Sequence, residues 1–324
     1  MADIAVIIVN YGTAELALKA AASVLERAHP GHRVELHLVD NASPSSDADI
    51  IADAIAERGW QDQLIFHAEA ENHGFGRGNN VVLHDLAARE VPPDYVFLLN
   101  PDAVLDNEAI AILADFLDGH PDIACAGAEI RKPSSPAPVT AAFRFPSLGS
   151  VVSEAVNFGP VSRLLRSSRV ALDPTREAAR VDWVAGAAVM ARLEVWRDVG
   201  FFDPTYFLYY EEVDLMLQVA RAGHACWYVP QAKIIHHEGA ATGVRSGEEA
   251  RRRRPVYLYE SWRHYFSKNH GRAYALTAAI LWLLGGTLGL LIATLRGRTA
   301  SVPLNYAGDI TRHVIAPLLR PGGR

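Results

Sequence analysis

The chain has 324 residues, 50% hydrophobic and 21% charged, which is enough apolar content to bury a full core and argues against disorder as the default. A formal charge of -6 leaves no global footprint for nucleic acid, so none is expected as a partner, although basic residues gather late in the chain at Arg251, Arg252, Arg253 and Arg254. Two cysteines, Cys125 and Cys226, lie far apart and outside any CxxC pair, which argues against a disulfide framework or a structural zinc site and suits buried thiols in a reducing compartment.

The chain opens Met1-Ala2-Asp3 and runs into Ile4-Ala5-Val6-Ile7-Ile8-Val9. With no basic stretch before this run and no small-residue cleavage site after it, the pattern predicts a buried strand and not a signal peptide. Short Val-, Ile- and Leu-rich runs then alternate with amphipathic stretches: strands over 4–9, 34–39, 64–67 and 95–99, helices over 15–27, 47–58, 79–89 and 108–117. Strands and helices alternating at this spacing imply right-handed βαβ units and a mostly parallel sheet covered by helices on both faces. Ligands bind such sheets beyond the carboxyl ends of the strands. The segments there are Asn10-Tyr11-Gly12, Asp40-Asn41-Ala42-Ser43, Glu71-Asn72-His73-Gly74 and Asn100-Pro101-Asp102, all polar and turn-forming.

Residues 132–138, rich in Pro and Ser, predict a loop, and weak periodicity to about residue 180 predicts a variable, substrate-facing segment. Patterning returns at Trp183-Val184-Ala185-Gly186-Ala187. A helix over 193–199, the pair Phe202-Asp203, the acidic cluster Glu211-Glu212-Val213-Asp214, a helix to residue 222 stopped by Gly223, and strands at 225–229 and 234–237 complete the domain. From Ala273 to Leu295 run 23 residues without a charge, long enough to cross a bilayer as a helix. Between Arg251 and Arg272 seven basic residues face one acid, and five arginines follow from Arg296 to the end. Positive charge on both flanks resists translocation of either, so a membrane-spanning, a re-entrant and an in-plane helix all stay open, as does a buried helix packed through Gly285, Gly286 and Gly289. The expected organisation is a catalytic domain over 1–245, a basic juxtamembrane segment over 246–272, the apolar helix over 273–295 and a basic tail over 296–324.

Single residues in these segments are ambiguous. Asp40 at a strand tip can accept hydrogen bonds from a base or ribose, or cap a turn. Gly74, Gly76 and Gly78, with Arg77 among them and Asn79 and Asn80 after, suit close backbone approach to a phosphate at a helix N-terminus, or a plain loop. The spacing is neither GxGxxG nor a Walker motif. Asp102, placed by Pro101 at a strand tip, suits a hard divalent cation that also grips a diphosphate, with His236 as a further ligand. Glu211, Glu212 and Asp214 in a first helical turn can simply complement the helix dipole. Behind the apolar wall Tyr206-Phe207-Leu208-Tyr209-Tyr210, however, a carboxylate has its pKa pushed upward, which suits a general base.

Taken in order over residues 3–240, these segments resemble the inverting glycosyltransferases of family 2, and within them the bacterial rhamnosyltransferase-like branch. The resemblance implies a GT-A fold, that is, a Rossmann-like, mostly parallel sheet flanked by helices, here with a C-terminal apolar membrane-associated segment. Residues 261–271, Ser-Trp-Arg-His-Tyr-Phe-Ser-Lys-Asn-His-Gly, look like the stretch this branch carries before its membrane-associated helix. It implies that Asn10, Tyr11, Asp40, Asn41, Asn72, Gly74, Arg77, Asn79, Asn100 and Asp102 bind the nucleotide sugar. Trp183, Gly186 and Asp203 would line the sugar and acceptor pocket, and Asp102 with His236 would hold Mg2+ or Mn2+. Glu212 would be the base, with Asp214 and Glu211 as competitors. Two departures from the family pattern stand out: Asn100-Pro101-Asp102 offers one carboxylate where two aspartates are common, and the base position carries Glu in place of the commoner Asp.

The mechanism implied is a single displacement in which Glu212 deprotonates an acceptor hydroxyl as it attacks the anomeric carbon of dTDP-rhamnose or another dTDP- or UDP-sugar. The acceptor would be a lipid-linked saccharide or a growing polysaccharide at the cytoplasmic face of the bacterial inner membrane. A sugar nucleotidyltransferase would need a basic, glycine-rich loop after the first strand, where this chain has Asn10-Tyr11-Gly12-Thr13-Ala14-Glu15. A non-catalytic, membrane-tethered binding module would require loss of the acidic cluster or of Asp102, and both are present.

Overall fold

The opening apolar run forms β1 (Asp3–Asn10), buried along nearly its whole length as a central parallel strand must be. The computed structural model describes residues 1–237, 253–298 and 302–320. After β1 come α1 (Ala14–Leu25), β2 (Arg33–Asp40), α2 (Asp47–Arg58), β3 (Leu64–Ala68), α3 (Gly74–Ala87), β4 (Tyr95–Leu99), β5 (Ala103–Leu105), α4 (Ala109–Asp118) and the hairpin β6 (Ile123–Lys132) and β7 (Ser135–Val139). Then follow β8 (Ala142–Phe143), α5 (Leu148–Val156), α6 (Gly159–Leu164), β9 (Ala179–Val181), β10 (Trp183–Val184), β11 (Ala188–Arg192), α7 (Leu193–Asp198), α8 (Glu211–Arg221) and β12 (Ala225–His236). The last helices are α9 (Val256–His270), α10 (Arg272–Leu295), α11 (Tyr306–Ile310) and α12 (Ala316–Leu319), with a π-helical turn over Thr311–Ile315.

The chain divides into two units. The first holds Met1–Phe143, Ala171–Pro204 and the stretch from Glu211 through β12, and contains the sheet. Strand order is β3-β2-β1-β4-β11-β6-β12-β5, with β7 on β6 and β9 on β12. β3, β2, β1 and β4 are parallel, β11 runs against both β4 and β6, β12 is parallel to β6, and β5, β7 and β9 oppose their neighbours. Six strands therefore share one direction and four oppose it, so the sheet is mixed with a parallel majority.

Three local expectations change. The helix expected over 79–89 begins at Gly74, so the glycines of the 72–80 segment lie inside α3 and not in a loop before it. Gly74 takes φ 72°, which favours glycine, whereas the other two serve packing: a Cβ on Gly76 would lie 3.0 Å from Phe202 Cβ, and one on Gly78 would lie 2.9 Å from Val9 Cγ1. The Pro/Ser-rich stretch pairs with β6 as β7, where prolines are tolerated because it is an edge strand. The two strands expected at 225–229 and 234–237 are one, β12, whose register shifts between Val229 and Lys233 around Pro230, a residue with no N–H for the ladder.

The second unit comprises Arg144–Val170, Thr205–Tyr210 and the described residues from Arg253 onward. Its centre is α10, whose mean hydropathy reaches 2.1, long and apolar enough to cross a membrane by length and composition. One face packs closely: a Cβ on Gly285 would lie 2.8 Å from Ala155 Cβ, and one on Gly289 would lie 2.5 Å from the Val156 carbonyl oxygen, both on α5. The opposite face leaves Ile280, Leu284, Leu288, Leu291 and Leu295 exposed at helical spacing. The basic residues nearby are largely occupied within the unit. Arg253 is paired with buried Asp309 at 2.6 Å, Arg263 donates to the His313 carbonyl at 2.6 Å, and Arg272 donates to the Leu318 and Arg320 carbonyls. Arg251 and Arg252 lie outside the described residues.

Candidate active site

The carboxyl ends of β1 and β2 are joined by a buried polar network. Asn10 is fully buried; its amide nitrogen donates to Asp40 Oδ1 at 2.9 Å and Asp47 Oδ2 at 2.9 Å, and its oxygen accepts from the Thr13 hydroxyl at 2.9 Å. Asp40 also accepts from the Ser43 hydroxyl at 2.6 Å and the Ser43 N–H at 3.2 Å. Asp47 caps the approach to α1 by accepting from the Ala14 N–H at 2.9 Å. Burial by itself would raise the Asp47 pKa, but hydrogen bonds from Asn10, Ser45 and the backbone of Ala14 and Thr13 hold it below the usual carboxylate range. Asn10 and Asp40 thus brace the strand tips with their polar groups already engaged by protein, while Tyr11 beside them is 40% exposed. The sequence places Asp47 at a helix start, where an acid needs no further explanation, so its part in this network is a tertiary fact.

Asn41 ties the next segment down. Its amide donates to Asn72 Oδ1 at 3.2 Å and the Gly74 carbonyl at 3.0 Å, and its oxygen accepts from the His73 N–H at 3.0 Å. Asn72 in turn accepts from the Gly74 N–H at 2.9 Å, so both backbone groups of Gly74 are taken. Asn79 is buried and donates to the Phe75 carbonyl of its own helix at 2.9 Å. Arg77 is exposed and donates to His73 Nδ1 at 3.1 Å, and His73 Nε2 lies 3.2 Å from Glu69 Oε2. Arg77 is the exposed cation of this segment. Asn80 received no role from the sequence, yet it clamps Phe202 from both sides, donating to its carbonyl at 2.8 Å and accepting from its N–H at 3.2 Å. Phe202 follows Phe201, a non-glycine residue at φ 59°, so the clamp holds a strained turn immediately before Asp203.

Antiparallel pairing of β12 with β5 sets His236 opposite Ala103 and so brings it to Asp102, 134 residues away. His236 Nε2 lies 2.9 Å from Asp102 Oδ1 and 3.3 Å from the Asn100 amide nitrogen, while the His237 N–H donates to the Asp102 carbonyl at 2.8 Å. A single ring nitrogen cannot donate to Asp102 and accept from Asn100 at once. With Nε2 unprotonated, its lone pair and the carboxylate oxygen form a two-ligand corner. Among the described residues there is no group of three His, Cys, Asp or Glu side chains placed to hold a metal. The donor set therefore fits a cation that takes its remaining oxygen ligands from a diphosphate and not one caged by protein alone.

The acidic cluster sits on the first turn of α8, reached through Tyr209 at φ 69° and Tyr210 at φ 71°. Glu211 is 3% exposed and Asp214 is 2% exposed, and Asp214 Oδ1 accepts from Gln218 at 3.3 Å. Glu212 is partly exposed, and its Cβ lies 3.8 Å from where a Cβ on Gly186 would sit, with the Phe75 ring 3.4 Å from the same point. Oε2 of Glu211 and of Glu212 are buried without a hydrogen-bond partner. Burial, and next the charge of Glu212, push the Glu211 carboxyl well above the ordinary range, and burial pushes Glu212 up as well. Trp183 stacks on Phe143 with ring centroids 4.0 Å apart in the β8–β10 ribbon, three residues before Gly186. The structure thus brings Glu212, Gly186 and Phe75 together, and separately Asn100, Asp102 and His236.

Residues 2–257 match the family model described as glycosyltransferase like family 2. The chain is 28% identical over 231 residues to N-acetylglucosaminyl-diphospho-decaprenol L-rhamnosyltransferase of Mycobacterium tuberculosis, covering 68% of this chain and 71% of that protein. It is 25% identical over 169 residues to rhamnosyltransferase WbbL of Escherichia coli, covering 51% of this chain and 61% of that one. Among solved structures, it is similar to a mannosyltransferase of Pyrobaculum calidifontis in complex with GDP-Man and Mn2+, at a TM-score of 0.56 and 16% identity over 98% of this chain and 81% of that one. With a family model spanning most of its length and a strand-tip site of this geometry, the chain belongs to glycosyltransferase family 2 and is a glycosyltransferase of GT-A fold.

Proposed function

We propose that the chain transfers L-rhamnose from dTDP-rhamnose to a saccharide carried on a polyprenyl diphosphate, by a single inverting displacement with Glu212 as the base. The observation that carries this reading is the Glu212 carboxyl: partly open to solvent, with one oxygen buried and unpartnered, and set beside Gly186 and the Phe75 ring. A raised pKa keeps it basic enough to take a proton from the acceptor hydroxyl as attack begins. Asp214 is spent on Gln218 and Glu211 is buried, so neither offers the same access.

Asp102 and His236, oriented by Asn100, would hold a divalent cation; when bound, it supplies charge neutralisation to the departing nucleoside diphosphate. The chain's own part is to fix that corner through the β5–β12 pairing, to present Arg77 at the start of α3, and to brace the nucleoside end through Asn10, Asp40 and Asn41. Rhamnose as the sugar is supported by the names of both relatives, and the lipid-linked acceptor by that of the Mycobacterium tuberculosis one. The closely packed face of α10 and its exposed Leu284–Leu288–Leu291–Leu295 stripe favour a helix lying in the membrane surface over one that spans.

The test is release of nucleoside diphosphate from dTDP-rhamnose and a panel of other nucleotide sugars, with and without a prenyl-diphosphate N-acetylglucosamine acceptor, with the anomeric configuration of the product read by NMR. Acceptor-dependent release from dTDP-rhamnose with inversion is expected. Release from another donor alone, or retention of configuration, would overturn the respective part of the reading.

A further inference from the structure

Charge is divided unevenly along this chain. The whole sequence carries -6, yet the described residues of the second unit hold thirteen arginines and lysines against three acids, Glu154, Glu260 and Asp309. Part of that charge is turned inward, with Arg253 on Asp309 and with Arg263 and Arg272 on backbone carbonyls. A carbonyl satisfies a guanidinium's hydrogen bonds without cancelling its charge, so the described residues of the unit keep a large positive excess. Arg163, Arg166 and Arg298 stand exposed on its surface.

The bare stripe of α10 ends inside this field. Leu288, Leu291 and Leu295 are exposed and lead directly into Arg296 and Arg298. Arg296 lies over the Phe158 ring at 4.9 Å, and a Cβ on Gly289 would meet the Val156 carbonyl oxygen, so the end of α10 sits beside the turn that opens α6. α6 and the residues just after it present Arg163, Leu164 at 83% exposure and Arg166. A solvated face would explain the arginines but not the leucines, and nucleic acid would call for the arginines alone. A second copy of the chain would cover the leucines only by bringing two positive surfaces together. A bilayer with net negative charge accounts for both, since apolar burial and attraction to anionic headgroups add in holding an interfacial helix.

We propose that the second unit docks selectively on anionic phospholipid: Leu164, Leu288, Leu291 and Leu295 enter the boundary between headgroups and acyl chains, while Arg163, Arg166, Arg296 and Arg298 meet the negative charge of the headgroups around them. The proposal rests on the reading of α10 as a helix lying in the membrane surface, and adds to it which lipid that surface must contain. The selectivity is electrostatic, so it weakens as salt shortens the range over which the arginines and headgroups attract.

The experiment is flotation of the full chain with vesicles of phosphatidylcholine alone and of phosphatidylcholine with about one-third phosphatidylglycerol, at about 0.1 M and about 0.5 M salt. Each arginine at a negative bilayer surface strengthens binding by about fivefold. Partition onto the acidic vesicles should therefore exceed that onto phosphatidylcholine by about thirtyfold or more at low salt, and by about threefold or less at high salt. The triple variant Arg163→Gln, Arg166→Gln, Arg298→Gln changes exposed side chains only, and its thermal midpoint reports whether it folds. It should lose about tenfold or more on acidic vesicles and stay within about twofold of wild type on phosphatidylcholine. Equal partition onto the two vesicle types, or a triple variant within about twofold of wild type on the acidic ones, would overturn the proposal and leave the in-plane reading of α10 standing. Binding to neither would overturn both. Analytical ultracentrifugation without lipid should find a monomer; a dimer that does not float with vesicles would give the leucine stripe to a second copy and overturn the proposal.

Discussion

Replacing Glu212 by Gln keeps the length and shape of the side chain and removes its ability to accept a proton. The carboxyl lies beside Gly186 and Phe75 with one oxygen buried and unpartnered, so the amide fits without a clash and without breaking a hydrogen bond. General-base assistance contributes roughly 10²–10⁴-fold to rate, so kcat should fall by that factor, about 3–5 kcal/mol in the barrier, with little change in donor KM. Initial rates of nucleoside diphosphate release over pH 5–9 are the assay. In the wild type, the acid limb should lie above the ordinary glutamate range, because burial holds Glu212 protonated to higher pH, and activity should rise as pH passes through its pKa. In Glu212→Gln that limb should vanish with the rate. Asp214→Asn should lose much less, since Asp214 is buried against Gln218. A Glu212→Gln enzyme within threefold of wild type, with the limb intact, would refute the assignment and move the base to Glu211 or Asp214.

Asp102→Asn and His236→Ala should each raise the Mn2+ concentration needed for half-maximal activity by about tenfold or more, measured by titration of the chelated enzyme; unchanged metal dependence in both would dissociate the pair from the cation. Asn80→Ala leaves the buried N–H and carbonyl of Phe202 without partners and should cost about 2–4 kcal/mol in urea unfolding of the first unit's transition. Glu211→Gln should stabilise the protein at neutral pH. A carboxyl whose folded pKa is raised contributes stability that is full below the unfolded value and lost as pH rises through the folded one. The thermal midpoints of variant and wild type should therefore converge near pH 4 and separate above it. Leu284→Arg with Leu288→Arg, both on the exposed face of α10, should move the protein from vesicle-bound to soluble fractions in a flotation assay without changing its unfolding midpoint.

The alternation of apolar runs was sufficient to locate β1–β4 and the helices between them, because a parallel βαβ unit is built from local segments whose burial pattern is written in each segment alone. The role of Gly76 and Gly78 is not legible locally, because a glycine serving close packing against Phe202 or Val9 has the same local signature as one that frees a loop. Splitting β12 at Pro230 followed from a valid local rule that a bulge overrides.

By itself, the sequence determined which acids and amides stand at strand tips and helix starts, and it located a charge-free helix long enough for a bilayer. Those are properties of short windows, set by turn chemistry and hydrophobic period. The tertiary structure alone decided which of these residues face a ligand and which serve the protein. It buried Asn10 and Asp40 in a network with Asp47, joined Asp102 to His236 across 134 residues, and left Glu212 partly exposed while covering Glu211 and Asp214. It also packed one face of α10 against α5 and left the other bare. The physical reason is that a side chain's hydrogen-bonding partners and burial are fixed by strand pairing and packing between distant segments, and neither is encoded in the neighbours along the chain.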